Sequence, residues 1–198
     1  MSARRHIGLF GGAFNPPHLG HLIVAETLRE QFDLDRVWWM PTATPPHKSA
    51  AHLAPAEHRV AMVEAAIASN PHFVCATHEL DRGGVSYTAH TVAALREQYP
   101  VDRFSLLVGG DSYASFHTWY KPETILAHVD VLVYLRPEAS QPPVPEAWHE
   151  KIRFATAPLI ELSSTALRLR CAAGQSIRYR VPEAVRAYIQ QHHLYTAS

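Results

Sequence analysis

Short apolar runs rich in β-branched and aromatic residues alternate along the chain with longer segments whose apolar residues recur three and four apart. The runs at residues 7–11, 36–40, 73–77, 103–108 and 129–135 contain few polar residues, the pattern of strands buried on both faces of a parallel sheet. Residues 19–32 place Leu19, Leu22, Ile23, Ala25 and Leu28 at helical spacing. Residues 55–70 open on Pro55 and gather Val60, Met62, Val63, Ala66 and Ile67 on one broad apolar face. Further helices are predicted from the hydroxyl-rich segment at 86–91 to about residue 99, over 122–128, from the hydroxyls at 163–165, and near the carboxyl end to about residue 192. Residues 78–84 and 137–148 read as connections, and 152–162 as extended chain. This alternation predicts an α/β fold: a Rossmann-like parallel sheet of five to six strands with helices on both faces. Residues 1–198 read as one domain whose part from 163 to 198 is helical.

Composition narrows the classes of function. A chain of 198 residues is long enough to bury a substantial core. Its 18 Lys and Arg balance its 18 Asp and Glu, so nothing in the overall charge draws it to nucleic acid or to a membrane, and any polyphosphate binding has to be local. No segment has the length and apolarity of a bilayer span, and the two cysteines, Cys75 and Cys171, are too few for a disulfide framework. These features predict reduced thiols and a cytoplasmic protein, and they allow a homo-oligomer.

The candidate chemistry is concentrated where the first apolar run ends. Gly11, Gly12, Ala13, Phe14, Asn15, Pro16, Pro17, His18, Leu19, Gly20 and His21 follow one another there. Two glycines let the backbone turn and approach a ligand closely, and two prolines hold it extended before the helix begins. His18 and His21 then fall in the first helical turn, where unpaired N–H groups and the helix dipole favour phosphate oxygens and both imidazoles can donate. A metal is the competing use of this pair, but it supplies only two ligands and no Cys or acidic residue nearby completes a set.

Other elements are compatible with two uses each. Pro41, Pro45 and Pro46 stiffen a loop ending in Lys48, which is either a surface cation or one aimed at a ligand. Thr88 follows Tyr87 at a helix start and suits an N-cap. Gly109, Gly110 and Asp111 follow a strand, so the carboxylate can accept from ribose hydroxyls or cap a helix. Trp119 can stack on a heterocycle or pack in the core. Ser163, Ser164 and Thr165 cap a helix and offer donors to an anion, with the fork of Arg168 one turn on.

The segment from Gly11 to His21 resembles the signature of the nucleotidyltransferase superfamily that includes the class I aminoacyl-tRNA synthetases. Within it the chain most resembles bacterial nicotinate mononucleotide adenylyltransferases, over nearly its full length. Ala13 departs from the family pattern, which often has Ser or Thr there, so backbone N–H groups replace a hydroxyl contact. The resemblance implies transfer of the adenylyl group of ATP, carried with Mg2+, to nicotinate mononucleotide. It assigns ATP to Gly11, Gly12, Ala13, Phe14, His18, His21, Gly109, Asp111, Ser163, Ser164, Thr165 and Arg168, with His18, His21 and Arg168 catalytic. It assigns the mononucleotide to Asn15, Lys48, Tyr87, Thr88, Trp119 and Arg136. The rivals are adenylyl transfer to nicotinamide mononucleotide or another phosphate, and a non-catalytic nucleotide sensor. Tyr87, Thr88 and Trp119 argue against phosphopantetheine as acceptor, and the intact His18, His21 and Arg168 argue against a sensor.

Overall fold

The computed structural model describes residues 4–44, 53–136, 139–158 and 160–196. Six strands form one parallel sheet in the order β3-β2-β1-β4-β5-β6: β1 His6–Gly12, β2 Arg36–Pro41, β3 Phe73–Cys75, β4 Arg103–Gly109, β5 Asp130–Leu135 and β6 Ile152–Thr156. The helices are α1 Leu19–Gln31, α2 Ala56–Ile67, α3 His78–Arg82, α4 Thr88–Gln98, α5 Gly110–Ala114, α6 Pro122–His128, α7 Ser164–Ala172 and α8 Glu183–Gln191. This is the Rossmann-like arrangement. Among the described residues no helix is long and apolar enough to cross a membrane.

The continuous apolar runs are explained by a core on each side of the sheet. Ile7, Leu9, Trp38, Met40, Phe104, Leu106, Val108, Val131 and Val133 face the side covered by α4 and α6, where Val92, Leu95, Ile125 and Leu126 meet them. The intervening Phe10, Val37, Trp39, Leu107 and Leu132 face the other side, against Ala25 and Leu28 of α1, Met62 and Val63 of α2, Leu167 of α7, and Val185 and Ile189 of α8. Alternate side chains of each strand thus enter opposite cores. Strands β2 and β3 lie to one side of β1, and β4 to β6 lie to the other. The chain reverses direction across the sheet between β1 and β4, and a crevice opens there beyond the strand carboxyl ends.

Four points of the element reading need correction. Residues 78–84 are not simply a connection, because His78–Arg82 makes a short helix, and Gly110–Ala114 makes another directly after β4. Both are five residues long, too short to display a helical period. β3 stops at Cys75 and β6 at Thr156, so residues 157, 158 and 160–162 lie outside the sheet.

Candidate active site

The site begins with a strained turn. After Gly12, Phe14 takes a left-handed φ of 46°, unfavourable for a side chain other than glycine's, and the Asn15–Pro16 peptide is cis. The Phe14 ring is buried edge-on against Phe10 and His21, at centroid distances of 5.7 and 5.3 Å, and lies 5.1 Å from Trp39. A Cβ at position 12 would lie 3.0 Å from this ring, so Gly12 makes the space that Phe14 fills.

His18 is the N-cap of α1, and its backbone N–H donates to His21 Nδ1 at 3.2 Å. That bond makes Nδ1 an acceptor and leaves Nε2 to carry the ring proton of a neutral His21. The two imidazoles stack with centroids 3.7 Å apart. His18 is buried, and the loss of hydration lowers its pKa to about 4, so it is neutral at neutral pH. Its Nδ1 has no hydrogen-bond partner among the described residues, and a Cβ at position 20 would lie 3.1 Å from it. Gly20 is therefore what lets the ring lie against the helix.

The opposite wall is the start of α7. Ser163 caps it, accepting from the Ala166 N–H at 3.1 Å. Ser164 Oγ donates to the Pro16 carbonyl at 2.8 Å, and the Arg168 guanidinium donates to the Asn15 carbonyl at 2.9 Å and to Thr165 Oγ1 at 3.3 Å. Two segments 148 and 153 residues apart in sequence are pinned together by these bonds. Capping and site assembly are thus served by different members of one motif: Ser163 does the first, Ser164 and Arg168 the second.

The third wall comes from β4, α5 and β5. Gly109 is the N-cap of α5 and Asp111 lies inside its first turn, which removes the N-cap alternative for Asp111. Instead its exposed carboxylate pairs with Arg136 at 3.2 Å. Together the three walls enclose a cleft of about 810 Å³, lined by Gly11, Gly12, Ala13, Phe14, Asn15, His18, His21, Gly109, Asp111, Arg136, Ser163, Ser164, Thr165 and Arg168 among others. That volume suits a mononucleotide or larger ligand. Every residue assigned to ATP from the sequence lines it, with Arg136 and Asn15 from the mononucleotide set.

The remaining mononucleotide residues lie elsewhere. Tyr87 is the N-cap of α4, so Thr88 is its first helical residue and does not cap it. The Tyr87 ring packs 4.6 Å from Tyr120. Trp119 is half-buried, 5.2 Å from Phe116 and packed on the core, as its apolar surface alone would lead one to expect. None of the three lines the cleft. The segment is tied to the β2 exit through Ser86, whose Oγ accepts from the Ala43 N–H at 3.0 Å and whose N–H donates to the Thr44 carbonyl at 3.1 Å. Lys48 lies outside the described residues.

Sequence reasoning missed the support beneath the motif. Asn15 is buried, and its Oδ1 accepts from the Tyr195 hydroxyl at 2.7 Å and the Ala54 N–H at 3.1 Å. Arg59 is buried as well, donating to the Ala13 and Ala54 carbonyls at 3.1 and 3.0 Å. A signal for Arg59 did exist: it shares the spacing i, i+3, i+4, i+7 with Met62, Val63 and Ala66, which puts a cation on an apolar stripe. Among the described residues no group of three or more His, Cys, Asp or Glu is arranged to hold a metal ion.

The chain is similar to known proteins in sequence and in fold. Residues 9–170 match the model of the cytidylyltransferase-like family. A relative from Salinibacter ruber named probable nicotinate-nucleotide adenylyltransferase is 49% identical over 189 residues, covering 96% of this chain and 97% of its own. One of the same name from Lactiplantibacillus plantarum is 43% identical over 194 residues, covering 96% and 88%. Among solved structures, the nicotinic acid mononucleotide adenylyltransferase of Plasmodium falciparum complexed with NaAD superposes with a TM-score of 0.77 at 17% identity, covering 97% of this chain and 98% of that one. At that identity it bears on the fold alone. The match across residues 9–170 and the near full-length relatives place this chain in the cytidylyltransferase-like family of nucleotidyltransferases, among the nicotinate-nucleotide adenylyltransferases.

Proposed function

We propose that this protein transfers the adenylyl group of ATP to nicotinate mononucleotide, releasing pyrophosphate and forming nicotinate adenine dinucleotide. The observation that carries this reading is the pinning of Arg168 and Ser164 onto Asn15 and Pro16, which sets a cation and the start of α7 beside the stacked pair His18 and His21 in one cleft. The relatives' names supply the pyridine acceptor.

In this reaction an oxygen of the 5'-phosphate attacks the α-phosphorus of ATP, the bond from that phosphorus to the β-bridging oxygen breaks, and pyrophosphate leaves with the electron pair. The attacking group is already an anion, so no side-chain base or nucleophile is needed. Catalysis consists of holding the two anions in line and neutralising charge as it moves. His21, with its proton on Nε2, and neutral His18 act at the α-phosphate as hydrogen-bond donors. Arg168 and the hydroxyls at 163–165 act at the leaving pyrophosphate. Mg2+ enters with ATP as part of the substrate and supplies charge neutralisation to the triphosphate. Asp111 is the one carboxylate among the described residues lining the cleft, and ribose is its natural partner.

Residues 1–198 act as a single nucleotidyltransferase domain on this reading, since α7 and α8 bury Leu167, Val185 and Ile189 in the same core as α1 and α2. The acceptor's ring lies toward Tyr87, Thr88 and Trp119, and the acceptor's phosphate is assigned to Lys48. The partners are small molecules, not nucleic acid or membrane, and the protein works in the cytoplasm. The test is pyrophosphate release from ATP with and without nicotinate mononucleotide. Release that depends on the mononucleotide, with a dinucleotide of matching mass, is expected. ATP binding without turnover would identify a sensor instead.

A further inference from the structure

A buried guanidinium with no carboxylate partner among the described residues lies directly behind the phosphate motif. Arg59 is only 1% exposed and its partners are two backbone carbonyls, those of Ala13 and Ala54. Burial lowers its pKa, and the Tyr195 phenol, with no carboxylate beside it, acts weakly in the opposite direction. A buried cation without an anion is costly, and an apolar side chain on the same stripe would avoid that cost. The cation's position therefore calls for a reason beyond packing.

The acceptors it and its neighbours occupy supply one. The Ala13 carbonyl is taken by Arg59, the Asn15 side-chain oxygen by Tyr195 and the Ala54 N–H, the Asn15 carbonyl by Arg168, and the Pro16 carbonyl by Ser164. Four oxygens in a stretch of four residues are thus turned onto protein donors. The Ala13–Phe14 peptide is planar and trans, so drawing the Ala13 oxygen toward α2 turns the Phe14 N–H the opposite way. Ala13 and Phe14 both line the cleft. An anion approaching this segment meets the Phe14 N–H with the Ala13 carbonyl turned away. Tyr195 comes from the far end of the chain, 180 residues from Asn15, and burial raises its pKa, so it stays a hydroxyl donor.

We propose that Arg59 and Tyr195 are positioning residues for adenylyl transfer, clamping Ala13 and Asn15 from behind so that the Ala13 carbonyl and the Asn15 side-chain oxygen face the protein and the Phe14 N–H faces the triphosphate. This rests on reading the cleft as the triphosphate site. The clamp couples the last turn of the chain to the first motif, so the carboxyl end is part of the catalytic apparatus.

The test uses Tyr195→Phe, which removes one hydroxyl and keeps the ring, and Arg59→Met, which keeps the length and removes the charge. Turnover at saturating substrates and thermal melting are measured for both. The clamp predicts a fall in kcat of roughly ten- to a hundredfold, the cost of misplacing a donor by a fraction of an ångström to an ångström, with the melting temperature of Tyr195→Phe within a few degrees of the unaltered protein. Unchanged kcat in Tyr195→Phe, or a loss no greater than the fraction unfolded at the assay temperature, would overturn it. If Arg59→Met does not fold, Tyr195→Phe carries the test alone. Failure of the underlying reading is distinguishable, because then the unaltered protein itself would release no pyrophosphate.

Discussion

The phosphate side of the cleft and the segment assigned to the pyridine ring are built in different ways. On the phosphate side, His18, His21, Ser164 and Arg168 are held by bonds to backbone or by ring stacking before any ligand arrives, and much of that support is buried. On the ring side, Tyr87 packs on Tyr120, Trp119 packs on Phe116, and neither lines the cleft. The difference follows from what each side has to do. Charge that moves during the reaction is stabilised best by donors already in place, whereas a flat ring needs affinity and discrimination, which stacking and a few donors supply on binding.

The strongest way to break this contrast is to remove the preset donors. His21→Ala and Arg168→Ala are each expected to lower turnover by about two to three orders of magnitude while the melting temperature changes little, because both lie at the cleft rather than in the cores. Arg168→Lys keeps the charge and loses the fork, so it should weaken ATP binding clearly. Near-normal turnover in the alanine variants would reduce the phosphate side to a capped helix and a packed loop.

The burial of that side has its own signature in pH. The pKa of His18 is lower in the folded chain than in the unfolded one, so its neutral form is favoured by folding. Its contribution is fully present above about pH 6.5 and is lost as pH falls toward about 4, where the unfolded chain takes up a proton that the folded one resists. The loss should amount to roughly 3 kcal/mol over that window. Urea unfolding at several pH values should show a shallower acid slope in His18→Asn than in the unaltered protein. Equal slopes would mean that His18 is not desolvated. Burial also lowers the pKa of His6 and His78, and the comparison with the variant subtracts their contribution.

The ring side predicts smaller effects. Trp119→Ala should cost ~2 kcal/mol of stability through lost packing on Phe116 and raise KM for nicotinate and nicotinamide mononucleotides alike. Nicotinate mononucleotide should be the better substrate by about two orders of magnitude or more, and Thr88→Ala should narrow that gap by roughly tenfold, since Thr88 begins a helix whose first turn has no acidic residue. Comparable kcat/KM for the two mononucleotides would remove the ring assignment and leave the phosphate chemistry standing. Smallest of all is the Asp111–Arg136 pair, exposed at both ends and worth less than about 1 kcal/mol, so Arg136→Ala should leave the melting curve almost unmoved.

The contrast also governs what could be read from the sequence. The strands were legible as apolar runs because both their faces are buried, and the long helices because burying one face imposes a period on the residues. The residues that line the cleft and are proposed to meet phosphate stood out because glycines, prolines, histidines and hydroxyls stand together at element boundaries, where their conformational and chemical uses coincide. Tyr195 and the two five-residue helices were not, and of Arg59 only its place on an apolar stripe was, not its partners. Arg59 and Tyr195 act through contacts 46 and 180 residues away in sequence, and no local pattern encodes a distance of that kind. Asp111 and Arg136 were assigned to different substrates because nothing in one dimension brings the end of β5 to the start of α5.

The most direct measurement is a crystal structure with nicotinate adenine dinucleotide bound. The account predicts the diphosphate bridge in the cleft between Gly11–Asn15 and Arg168, within hydrogen-bond reach of His21, with the nicotinate ring directed toward Thr88 and Trp119. A dinucleotide whose diphosphate touches neither His21 nor Arg168, or that binds outside this cleft, would contradict it.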